Sequence, residues 1–174
     1  MKLTATVLLL LFAYTGFAQT ISMTGIGDIK IGMKRAELEK LTGTKVKLKN
    51  LAQKNGYRDT LNLTYKEIAY QVQIEKTYME QDKYEITVAE VRTSNPGIKT
   101  KSGIGIGDDK IKIINTYPDY TIHIMPEYED DAYTIKSKTK SIITIYSDET
   151  ANMITFHLIN NKVTAVSVSY SEGC

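Results

Sequence analysis

Most of the chain alternates between apolar and polar residues. In "YQVQIE", Tyr70, Val72 and Ile74 fall on one side, and Gln71, Gln73 and Glu75 on the other. In "ITFHLI", Ile154, Phe156 and Leu158 oppose Thr155 and His157. Further on, Val166, Val168 and Tyr170 oppose Ser167 and Ser169. A period of two predicts strands with one buried face and one open face. A helical period appears in residues 33–41, "MKRAELEKL", where Met33, Leu38 and Leu41 share a side. The sequence "INNKV" predicts a tight hairpin at Asn160 and Asn161, because asparagine tolerates positive φ.

The pattern then repeats. "IKIGMKRAELEKLTG", residues 29–43, aligns without gaps on "IGIGDDKIKIINTYP", residues 104–118. Ile29, Ile31 and Gly32 match Ile104, Ile106 and Gly107. Three strand-like segments follow each lead-in in the same order. "LNLTY" corresponds to "IITIY", "YQVQI" to "ITFHL", and "AEVRTSN" to "VSVSYSE". A preserved order of weak matches is the mark of an internal duplication. A further strand is expected before each set, at residues 45–49 and 120–125. The reading is two units, residues 19–98 and 99–174. The fold class expected is α+β: two tandem helix-plus-antiparallel-sheet repeats forming one continuous sheet, with helices on one face.

The two Ile-x-Ile-Gly lead-ins and the paired strand series resemble the beta-lactamase inhibitory protein fold. "IKIGMKRAEL" also resembles the opening of small outer-membrane assembly lipoprotein domains, except that Lys34 stands where a hydroxyl residue is usual. The resemblance implies a sheet that grips a partner protein. No inhibitor contact residue carries over to this chain.

The N-terminus changes where the protein is expected to act. Lys2, the apolar run "VLLLLF" and the small residues Gly16 and Ala18 have the order of a cleavable signal peptide over residues 1–18. The run is too short to span a bilayer. An exported protein, periplasmic or secreted, is expected, with no transmembrane segment in the mature chain. The formal charge is only +2, which argues against nucleic acid as a partner. The single cysteine, Cys174, has no partner for an internal disulfide; an incidental terminal thiol is expected, with pairing between chains as the alternative.

Candidate chemistry adds little. "GIGIGDDKIKI" lacks the Lys-Ser/Thr ending of a phosphate loop, and Asp108 and Asp109 would repel a phosphate while suiting a helix start. The acidic loop Glu127, Tyr128, Glu129, Asp130 and Asp131 lacks the spacing of a calcium loop. His123 and His157 have no paired metal-ligand spacing. Neither a catalytic residue, a metal nor a cofactor is expected. "DTL" and "NLT", at residues 59–61 and 62–64, have the form of glycosylation acceptors, a form common by chance. The open sheet face offers Gln71, Gln73, Thr155, His157 and Ser167 as a protein-binding surface. The expected function is therefore a non-catalytic module that binds an envelope or secreted protein, as an inhibitor or accessory factor. The alternative is a small-ligand binder or hydrolase with a site between the repeats. A structural part in outer-membrane assembly is a third reading.

Overall fold

A computed structural model describes residues 19–53, 55–78, 83–130, 132–147 and 149–170. The expected signal peptide, Asp131 and Cys174 lie outside them. The chain opens with short strands β1 (Thr20–Ser22), β2 (Gly25–Ile26) and β3 (Ile29–Lys30), then helix α1 (Arg35–Thr42). Three long strands follow: β4 (Arg58–Tyr65), β5 (Ile68–Tyr78) and β6 (Tyr84–Thr93). After the two-residue β7 (Lys99–Thr100) comes helix α2 (Lys110–Thr116). Four long strands complete the order: β8 (Ile122–Tyr128), β9 (Lys136–Tyr146), β10 (Asn152–Ile159) and β11 (Lys162–Tyr170).

The long strands form one seven-stranded antiparallel sheet in the order β4-β5-β6-β11-β10-β9-β8. The short ones form a four-stranded mixed sheet, β3-β2-β1-β7, in which only β1 and β7 run parallel. Here the expected α+β architecture is corrected. The chain is predominantly strand, built as two sheets, and not as two helix-plus-sheet repeats with helices spread over one face. The physical reason is length. The two described helices have 8 and 7 residues, about two turns each. Each contributes a single buried apolar side chain, Leu38 and Ile113. A stripe that narrow cannot cover seven strands. The small sheet takes over at the centre, where β2 packs on β6 and β11.

The core lies between these layers. Ile26, Ile29 and Ile104 meet the inward residues Val72, Val91, Val166, Val168 and Phe156, all fully or almost fully buried. Fully burying one such side chain stabilises by roughly 1.5–3 kcal/mol, so this face supplies much of the folding free energy.

Both lead-ins are tied to the large sheet by the same two backbone bonds. Gly32 N–H donates to Val88 O (2.8 Å), and Val88 N–H donates to Met33 O (2.9 Å). Gly107 N–H donates to Val163 O (2.9 Å), and Val163 N–H donates to Asp108 O (2.9 Å). Gly32 and Gly107 have φ of 79° and 88°, where a side chain is strained. After the first, Glu37 reaches back to Lys34 N–H (2.9 Å), which starts α1 without a hydroxyl cap. After the second, the Asp109 carboxylate accepts from Lys112 N–H (2.8 Å) and starts α2. "GIGIGDD" is thus a turn and a helix start.

One expected strand is absent. Residues 45–49 form an irregular loop. The Val46 and Lys49 donors, and those of the two residues that follow, go to carboxylates and not to a neighbouring strand. Val46 N–H bonds to Glu39 Oε1 (2.9 Å), while Lys49, Asn50 and Leu51 N–H all bond to Asp59 (2.9, 2.9 and 3.1 Å). Of the counterpart expected at residues 120–125, Ile122 to Met125 pair with β9 as part of β8, and the first two residues lie before it.

Candidate binding face of the seven-stranded sheet

The face turned away from the core is ordered by cross-strand register. Asn62 lies opposite Gln71, Gln71 opposite Arg92, and Arg92 opposite Ser167. Ser167 then faces Thr155, Thr155 faces Thr144, and Thr144 faces His123. One polar row therefore crosses all seven strands. A second row runs Thr60, Gln73, Glu90, Ser169, Met153 and Tyr146.

All five residues singled out in the sequence stand on this face. Gln71, Ser167 and Thr155 share the first row. Gln73 lies two positions along β5, and His157 two positions along β10. Their exposure differs, however. Gln71 is exposed and Gln73 and His157 are half-buried, but Thr155 and Ser167 are only 9% and 4% exposed. Both hydroxyls are engaged within the sheet: Thr155 shares a hydrogen bond with Thr144 Oγ1 (3.2 Å), and Ser167 with His157 Nε2 (3.2 Å).

His157 is the centre of a polar chain. Its Nδ1 lies 3.3 Å from Glu127 Oε1, and its Nε2 lies 3.2 Å from Ser167 Oγ. A register shift between Pro126 and Tyr128 brings Glu127 toward the histidine. Burial, with the nearby Arg92 charge, pulls the imidazole pKa below its ordinary value, and Glu127 opposes that. Glu90 moves the other way. Burial raises its pKa, partly offset by Arg92 and by a hydrogen bond with Ser167. A cavity of about 560 Å³ opens beside His157, lined by Arg92, Met125, Glu127, Tyr128 and Ile142 among others. His123 does not join it; its ring packs on Tyr146 at 4.8 Å.

In the acidic loop, Asp130 is engaged locally. It accepts from Thr134 N–H (2.9 Å) and Ile135 N–H (2.8 Å) and closes the turn. Tyr128 and Tyr133 meet edge to face at 5.5 Å beside it, both exposed.

Arg92 and Glu90 were missed as site residues. They had a readable signal, since they alternate with Val91 as Gln71 and Gln73 do with Val72. Glu127 was read only as part of the acidic loop, and its place beside His157 had no signal because it depends on the bulge. No protein family, curated protein or solved structure matches the chain.

Proposed function

We propose that the protein is an exported, non-catalytic protein-binding module that recognises its partner through the polar face of the seven-stranded sheet. The observation that carries this reading is the polar row from Asn62 to His123, with no apolar residue at any of its positions. Its size fits the role. Seven strands ~4.8 Å apart span ~29 Å, and ~20 Å of strand length makes a face of ~600 Å². A standard interface takes about 800 Å² from each partner. Exposed Tyr128, Tyr133 and Met125 extend the face at the β8 edge with apolar contact area. Export rests on the N-terminal sequence. The test is crosslinking of the protein in an envelope extract, in parallel with a Gln71→Lys, Gln73→Lys double variant. One stoichiometric partner, lost in the variant, is expected. Equal capture by both removes this face from the reading.

The chain Glu127–His157–Ser167 favours a second reading, a hydrolase, because it has the order acid, base, nucleophile. Two features weigh against it. Ser167 is 4% exposed. It also lies inside the sheet, between β6 and β10, where backbone amides serve the ladders and leave no oxyanion donors. Labelling of Ser167 by a fluorophosphonate would establish this reading, and absence of label at saturating probe would end it.

A further inference from the structure

A notch interrupts the polar face where β6 stops. β6 ends at Thr93, opposite Val166, whereas β5 and β11 continue beyond it to Ala69 and Ala165. The missing strand leaves a cavity of about 570 Å³. Arg92 stands at its inner end. Asn62, Thr64, Gln71, Ser94 and Thr164 supply amide and hydroxyl groups around it. Among the described residues Arg92 is the only charged side chain lining this cavity. Its guanidinium makes no hydrogen bond or ion pair within them. The two acids nearest in the network are drawn elsewhere: Glu127 contacts His157, and Glu90 shares a hydrogen bond with Ser167.

We infer that this notch binds a carboxylate, that of an acidic side chain presented by the partner protein, on the Arg92 guanidinium. The inference rests on the binding reading above and names the chemistry of its central contact. A half-buried guanidinium with no acid bonded to it has five donors in a planar fork, which matches a carboxylate in two parallel bonds. The other groups lining the notch are neutral, so within it Arg92 offers the one positive charge. That suits a monoanion and leaves a phosphate dianion under-compensated. Arg92 also sits mid-row on a central strand, where a desolvated arginine anchors an interface.

The test needs no partner. The capped tripeptide acetyl-Gly-Glu-Gly-amide is titrated into the isotope-labelled protein and followed by NMR, with acetyl-Gly-Gln-Gly-amide and acetate as comparisons. Saturable shifts at Arg92 Nε–H and the Gln71 side-chain amide are expected with the glutamate peptide, at concentrations on the order of millimolar. The glutamine peptide should leave them unmoved. Arg92→Gln should weaken the response about tenfold or more. Asn62→Asp, on the exposed edge strand, places a carboxylate inside the notch and should abolish it, even if Arg92→Gln fails to fold. Equal shifts with the glutamine peptide, or shifts that persist in Asn62→Asp, would overturn the inference. Acetate binding as tightly as the peptide would assign the site to a free small acid and overturn the partner assignment. A failed titration leaves the crosslinking result of the double variant standing, so the two readings fail separately.

Discussion

Arg58 holds the Glu75 carboxylate at 2.6 Å through its Nη2 group, and the two are exposed to very different degrees: 44% for the arginine side chain and 2% for the glutamate. The buried acid also accepts from Tyr170 Oη, across the sheet from β11. Both of its oxygens have donors, as a carboxylate this deep requires. Arg58→Ala leaves it with only one of them. We expect a loss of about 2 kcal/mol, below the range for fully buried pairs because water already reaches the arginine. Glu75→Gln should cost less, since it removes the buried charge and leaves the unpaired arginine in reach of water. Urea unfolding of both variants measures the difference.

Asp59 gathers three backbone amides from residues 49–51. Burial works against its charge, but the three donors outweigh it and hold the carboxyl below its ordinary value of 3.8. A carboxylate with a depressed folded pKa stabilises the fold above its unfolded pKa and loses that contribution as pH falls through the folded one. The Asp59 share of stability should therefore be complete at pH above about 5 and fade below about 4. Asp59→Ala should cost about 2–4 kcal/mol at neutral pH and flatten the acid limb of the stability curve. Hydrogen exchange at the amides of Lys49, Asn50 and Leu51 reports the loop directly.

The His157 imidazole has its pKa lowered by burial and by Arg92. Below the ordinary value of 6.5 the unfolded chain takes up a proton that the folded chain refuses. Stability should thus fall as pH drops from about 6.5 toward the folded pKa, and stay level above it. His157→Gln should remove that slope between pH 5 and 7. An NMR titration of the ring that gives an ordinary or raised pKa would refute this.

The β4–β5 turn carries Lys66 and Glu67 at φ of 49° and 64°. Both angles are left-handed, as a two-residue hairpin requires. Lys66 is committed to Asp28 at 2.8 Å, while Glu67 is exposed. Glu67→Gly should therefore raise stability by about 0.5–1 kcal/mol, read as a higher melting temperature.

What was legible in the sequence follows from length. β5, β10 and β11 have 11, 8 and 9 residues, enough for alternation to show. Asn160 and Asn161 adopt the expected positive φ, 51° and 62°. The small sheet was invisible because strands of 2 or 3 residues carry no period, and without it helices were left as the cover for the core. The strand expected at residues 45–49 failed for a different reason: its Val46 and Lys49 amides answer to Glu39 and Asp59, residues outside the segment. Of the binding face, the outward residues were readable strand by strand. Their alignment into one row was not, since it depends on β6 lying beside β11.

That pairing joins strands whose facing residues, such as Thr93 and Val166, are far apart along the chain. Among the described strands β11 comes last along the chain and lies in the middle of the large sheet. Within that sheet the hairpin-built halves β4–β6 and β8–β11 are joined by the β6–β11 pairing alone. Without that one seam the edge of β6 would stand open, and the polar row would be two surfaces in place of one.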